Sequence, residues 1–119
     1  MQRIFTKAIA IAALGVSGLL AAPAPAHAYT TYGAIAVSGN GATGQAWNYP
    51  SRASAEQAAR SECGYSDCTV LVSFTRCGAV SDSPGAGMYT GGYGATRAEA
   101  EQASRRYTDS YVIASVCTS

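Results

Sequence analysis

The chain has 119 residues, with 8 basic and 7 acidic side chains and a formal net charge of +1. This balance excludes the basic stripe that a nucleic-acid binder uses to neutralise phosphates, and it disfavours an anionic membrane surface for the same reason. Beyond residue 28 there is neither lysine nor histidine, which removes Schiff-base and Ser–Lys chemistry, the usual general base and the commonest metal ligand.

The first 28 residues read as a targeting segment. Arg3 and Lys7 give a basic start, "AIAIAALGVSGLL" is an apolar run of signal-peptide length, and "AAPAPAHA" ends in the small-x-small pattern that signal peptidase accepts. Cleavage is expected after Ala28. The run is too short to span a bilayer comfortably, so the expected product is a secreted chain without a membrane anchor. Residues 29–119 are enough for one small domain.

That domain opens with "YGAIAVS" (Tyr32 to Ser38), read as a strand. "GNGATG" (Gly39 to Gly44) matches G-x-G-x-x-G, but phosphate binding there requires a helix to start next. The chain continues instead as the strand-like "GQAWNYP", so a hairpin turn is expected, with Asn40-Gly41 supplying positive φ angles. "SRASAEQAAR" (Ser51 to Arg60) reads as a helix with Ser51 as its N-cap after Pro50. Ala55, Ala58 and Ala59 share its inner face, and Arg52, Glu56 and Arg60 the solvated one. "CGYSDC" is a loop, and "CTVLVSFTRC" and "CGAVS" are strands. "SDSPGAGM" (Ser81 to Met88) reads as a flexible connection between two copies of a repeated unit, and "MYTGGYGA" as a glycine-rich strand with aromatics. "TRAEAEQASR" (Thr96 to Arg105) is a second helix, with Thr96 and Glu99 forming a capping box. Ala100, Ala103 and Ser104 line one face and Arg97, Glu101 and Arg105 the other, and "YVIASVC" closes the chain as a strand.

The two helical decamers are near-copies, 45 residues apart. The neighbouring segments also match, so the chain parses as an α+β domain of two tandem ββαβ repeats, about 29–77 and about 78–119. Cys63, Cys68, Cys77 and Cys117 are an even set in an exported chain, where disulfides persist. Four cysteines allow three pairings. The closing cysteines, Cys77 and Cys117, are only 40 residues apart, which places five extra residues of the first copy at "CGYSDC". Such a loop most simply closes on itself as Cys63–Cys68. Cys77 and Cys117, as equivalent positions, are then expected to meet near a pseudo-twofold axis.

"YGAIAVS", "WNYPSRASAEQAA", the C-x4-C spacing, "CGA" and "GYGATRAEAEQA" together resemble the family called domain of unknown function 4189. These are small exported bacterial proteins, well represented in mycobacteria. The resemblance implies secretion and a compact duplicated α+β domain, and no established activity. Many members carry a cysteine pair in the second copy as well. Here "RRYTDSY" stands in its place, so symmetric bridging is not expected.

No G-x-S-x-G elbow is present, and oxidised cysteines supply neither a thiolate nor a zinc site. Only paired carboxylates remain for catalysis, and five of the seven acids sit on or beside the helices. No catalytic residue, metal or cofactor is therefore assigned. The candidate binding surface is aromatic: Trp47, Tyr49, Tyr89 and Tyr93, in the strands that lead into the helices. Trp47 and Tyr49 fall on one face of a period-two strand. Trp47 is expected to fill the core beneath a helix, while for the tyrosines core packing and contacts of the hot-spot kind both stay open.

The function expected is a secreted binding domain for an unknown protein or an envelope glycan. The alternatives are an inhibitor presenting "CGYSDC" to an extracellular enzyme, and a carboxylate-dependent hydrolase of wall glycans.

Overall fold

Ser51 and Thr96 each stand between a strand and a helix and cap the helix. The Ser51 hydroxyl accepts the Ser54 N–H at 3.1 Å, and the Thr96 hydroxyl accepts the Glu99 N–H at 3.1 Å. The Glu99 carboxylate reaches back to the Ala95 N–H at 3.0 Å. These bonds satisfy amides that have no partner within the helix. The computed structural model describes residues 30–119; the targeting segment over residues 1–28 lies outside the described residues. Around the two caps the chain forms β1 (Tyr32–Val37), β2 (Thr43–Tyr49), α1 (Arg52–Cys63) and β3 (Thr69–Phe74). It repeats the series as β4 (Cys77–Ser83), β5 (Met88–Gly94), α2 (Arg97–Ser104) and β6 (Tyr111–Cys117).

Each series is a ββαβ unit with its own antiparallel sheet, in strand order β2-β1-β3 and β5-β4-β6. The first strand lies in the middle, and the helix carries the chain from one edge to the other. The pairing shifts register at the same step in both units, between Ile35 and Ala36 and between Val80 and Ser81. The fold is thus α+β and duplicated.

Period-two alternation sorts the side chains into layers. Ala34, Ala36 and Ala46 turn to one face of the first sheet, where Ala55, Ala59 and Cys63 of α1 cover them. Cys77 and Ala79 meet Ala100 of α2 in the same way. Such small side chains let each helix lie close on its sheet. Ile35, Val72, Phe74, Val80 and Ala114 turn the other way and form the core between the two sheets. The layers therefore run helix, sheet, sheet, helix. Ile35 and Val80 are fully buried, which stabilises by roughly 1.5–3 kcal/mol each.

Across the inter-sheet layer β1 meets β4, β3 meets β5, and β2 meets β6. The units are thus related by a pseudo-twofold axis running along the strands. Phe74 marks the axis: its ring covers Gly33, its cross-strand partner, and reaches Gly78 of the other sheet. A Cβ on Gly33 would lie 2.5 Å from Phe74 Cζ, and one on Gly78 would lie 2.9 Å from Phe74 Cγ. Only glycine at both positions admits the ring. Both helix N-termini and the link between the units lie at one end of the sandwich, the crossover end. The β1–β2 and β4–β5 turns lie at the other, the hairpin end.

Several sequence expectations are corrected. The link between the units is Thr75–Arg76, not "SDSPGAGM", whose residues 84–87 form the β4–β5 turn with Gly87 N–H bonded to Ser83 O at 2.8 Å. In the β1–β2 turn only Gly41 has positive φ, at 93°; Asn40 instead accepts the Ala42 N–H with its side-chain oxygen at 2.9 Å. The extra residues of the first copy are in its helix rather than in "CGYSDC". Phe74 and Val116, the partners of Gly33 and Gly78, are 42 apart where the caps are 45 apart (116 minus 74, against 96 minus 51). The difference is three residues: α1 has 12 and α2 has 8, while the segment after the helix is one longer in the second unit. Ala103 is exposed rather than packed.

Both expected disulfides are present, Cys63–Cys68 and Cys77–Cys117. The first joins the end of α1 to the start of β3. The second is a cross-strand bridge within one sheet, at the directly opposed positions of β4 and β6. Cys77 opens the second unit at the place Tyr32 holds in the first, so Cys77 and Cys117 are not equivalent positions and do not meet on the axis.

Candidate functional site

The candidate aromatics occupy three different places. Trp47 and Tyr49 sit at the crossover end of β2, an edge strand. Between them Asn48 has φ of 64°, and the β1–β2 register shifts there, with Tyr32 opposite Tyr49 and Ala34 opposite Ala46. This bulge interrupts the alternation after Trp47, which by that alternation lies on the side of the strand opposite Ala46. Trp47 is 49% exposed, which overturns the expectation that it fills the core: Ala46, the residue before it, is the one that turns toward α1. Trp47 and Tyr49 still come together, lining a depression of about 270 Å3 with Gln45, Ala46 and Glu62.

Tyr93 belongs to β5, the corresponding edge of the second sheet, and is 71% exposed. It lines a depression of about 290 Å3 with Phe74, Thr75, Arg76, Cys77, Gly94 and Ala95. Tyr89 does not belong with these. It is half-buried at the hairpin end, packed against the inter-sheet core and pointing its hydroxyl toward Gly41. The aromatic set is therefore two exposed edges related by the pseudo-twofold, plus one structural tyrosine.

Most of the carboxylates hold the frame together. Asp67 accepts the Ser38 hydroxyl at 2.7 Å and the Gly39 N–H at 3.0 Å, tying the β1–β2 turn to the start of β3. Asp109 does the same in the second unit, accepting the Gly85 N–H at 2.6 Å. Glu101 accepts the Ser115 hydroxyl at 2.9 Å, Glu99 caps α2, and Asp82 accepts the Tyr111 hydroxyl at 3.0 Å, which raises the Tyr111 pKa. Arginines pair the same way: Arg52 bonds to Ser73 and stacks over Tyr32, and Arg97 bonds to Ser115. Among the described residues, no three Cys, Asp or Glu side chains converge as a metal site would require.

The hydroxyl of Ser38 and the amide of Gly39 hold the Asp67 carboxyl below the ordinary carboxylate range. Its folded pKa is lower than its unfolded one, so the unfolded chain takes up the proton first as pH falls. The stability that Asp67 supplies is complete above about pH 4 and is lost as pH drops through the folded pKa. Urea midpoints at pH 7 and pH 3 should therefore fall further for the native protein than for Asp67→Asn; equal falls would show that Asp67 carries none of the acid sensitivity.

Sequence reasoning passed over Arg76. It lies in the two-residue link, is exposed, and borders two adjoining depressions. Its charge was evident in the sequence, but its position at the pseudo-twofold was not. The link carries no glycine or proline to mark it.

The family model described as Domain of unknown function (DUF4189) matches residues 32–118. Protein Rv1269c of Mycobacterium tuberculosis is 57% identical over 75 residues, a stretch that covers 63% of this chain and 59% of that protein. Less than two thirds of that relative's length is therefore matched. The uncharacterized protein Rv1813c of the same organism is 49% identical over 70 residues, covering 59% of this chain and 48% of that protein. The NMR structure of Rv1813c superposes with a TM-score of 0.62 at 32% identity, covering 98% of this chain and 97% of that chain.

Proposed function

We propose that this chain, which belongs to the DUF4189 family, is a binding module that works outside the cytoplasm by recognising an envelope component or an extracellular protein. The observation that carries this reading is the exposure of Trp47, Tyr49 and Tyr93 on strands of a disulfide-closed sandwich. Large rigid side chains of this kind give contact area at low entropic cost, and they dominate binding energies elsewhere. Two disulfides support an oxidising compartment. Among the described residues, no helix is long and apolar enough to cross a membrane. Five of the seven acids hold structural hydrogen bonds, which supports binding over carboxylate catalysis.

The inhibitor reading has one observation in its favour. Tyr65, inside the Cys63–Cys68 loop, is 55% exposed, as a residue presented to a protease cleft would be.

The test is sedimentation of the oxidised protein with an envelope fraction and, separately, capture against a panel of extracellular proteins. Saturable retention is expected, weakened tenfold or more by Trp47→Ala with Tyr49→Ala or by Tyr93→Ala, as for an aromatic hot spot of about 2 kcal/mol. An inhibitor would instead lose its effect with Tyr65→Ala. Absence of retention in every fraction would overturn the binding reading.

A further inference from the structure

Three shallow depressions adjoin across the crossover end. The first, about 330 Å3, is lined by Thr30, Thr31, Asn48 and Pro50. The second, also about 330 Å3, shares Thr30 and Thr31 and adds Thr75, Arg76, Thr118 and Ser119. The third is the Tyr93 depression, which shares Thr75 and Arg76 with the second. Together they form one trough from the bulge of the first unit, beside Trp47 and Tyr49, to the exposed edge of the second.

Its floor is fixed. Thr118 N–H donates to Arg76 O at 2.7 Å, the Thr118 hydroxyl donates to Thr75 O at 2.9 Å, and Ser119 N–H donates to the Asn48 side-chain oxygen at 2.9 Å. The C-terminal residues thus stitch both units together under the trough. No acidic side chain lines it, and the α-carboxylate at Ser119 is the anionic group an incoming ligand would meet beside Arg76. The guanidinium groups of Arg52, Arg97 and Arg106 are engaged with Ser73, Ser115 and the Gly91 carbonyl. That of Arg76 takes no hydrogen-bond partner among the described residues. Both helices direct their N-termini to this end, adding positive potential.

We infer that this trough binds an extended glycan bearing an anionic group. Arg76 would pair with the carboxylate or phosphate, Tyr93 would stack on a sugar ring, and the threonine hydroxyls would meet sugar hydroxyls. Each role suits its residue: a guanidinium fork reads oxyanions, and an exposed aromatic face suits a sugar's apolar side. The trough's length across both units argues for several sugar rings rather than one small ion. The inference rests on the binding reading above and names the ligand class and the place.

The experiment is NMR titration of the oxidised protein with four probes: trigalacturonate, glucose 6-phosphate, maltotriose and inorganic phosphate. Saturable shifts at Thr31, Thr75, Arg76, Tyr93 and Thr118 are expected with trigalacturonate or glucose 6-phosphate, and which one binds tighter tells carboxylate from phosphate. Arg76→Gln and Tyr93→Ala should each weaken that binding by about tenfold or more, while Tyr107→Ala, an exposed tyrosine at the hairpin end, should leave it unchanged. Equal binding of maltotriose would overturn the anionic part, and equal binding of inorganic phosphate would overturn the glycan part. If no probe shifts these amides while the protein still sediments with envelope, this inference falls and the binding reading stands. Failure of both experiments removes both.

Discussion

Phe74→Ala is expected to lower the unfolding free energy by about 3–5 kcal/mol. The ring is 3% exposed and lies between Gly33 of one sheet and Gly78 of the other. Neither glycine has a side chain that could move into the space. The remaining void would therefore stay largely uncollapsed. Domains of this size are stable by roughly 5–15 kcal/mol in total, so the variant should lose a large share of its stability. Urea denaturation followed by circular dichroism measures it. Gly78→Ala supplies an internal check, because every close neighbour of its Cβ is an atom of the ring, so that it collides in the native protein but enters the void in Phe74→Ala. The pair should be less destabilising than the sum of the singles. A loss under about 1 kcal/mol for Phe74→Ala would mean that the sheets close over the gap.

The second large effect concerns the two disulfides, whose loops differ widely. Cys77–Cys117 closes a sequence separation of 40 and Cys63–Cys68 one of 5. In the chain-entropy account the long loop contributes about 4 kcal/mol and the short one about 2. Denaturant midpoints of Cys77→Ser with Cys117→Ser should therefore fall about twice as far as those of Cys63→Ser with Cys68→Ser. The long bridge also pins β4 to β6 and so holds together the whole second unit. A larger loss on removing the short bridge would show that native packing around Cys63, which is buried against the alanines of α1, outweighs chain entropy.

Much of this frame could be read from local chemistry. Ser51 and Thr96 announced both helix starts, because a hydroxyl before an alanine-rich amphipathic run has one good use. "YVIASVC" marked β6 to the residue, because β-branched and apolar side chains suit a half-covered sheet. The features that local chemistry misplaces depend on register. Cys77 and Cys117 look equivalent by residue type, but hydrogen-bond pairing places Cys77 with Tyr32. "SDSPGAGM" carries turn residues, and the same residues serve a tight hairpin as well as a linker. The true link, Thr75–Arg76, has no such signature. Trp47 looks like a core residue by composition. It stands instead on the outward side of an edge strand, next to the left-handed Asn48, and nothing in its identity marks that position.

The residues of the proposed trough were only half legible for the same reason. Tyr93 stood out as an aromatic in a strand of small residues. Arg76 was one charge among several, and its neighbours are assembled from both ends of the described chain.

The place of Phe74 on the pseudo-twofold has a consequence for how such a chain can arise. Gly33 and Gly78 are equivalent positions that share one ring-sized space. A homodimer of single ββαβ units would present the same residue from each subunit, giving two rings or none for that space. Fusing the units into one polypeptide removes this constraint: position 74 carries the phenylalanine, and its counterpart, Val116, is free to be small. The inter-sheet core is thus an arrangement open to a covalent duplication and closed to an exact dimer. Asymmetry of this kind also allows the two exposed edges to differ, with Trp47 and Tyr49 on one and Tyr93 on the other.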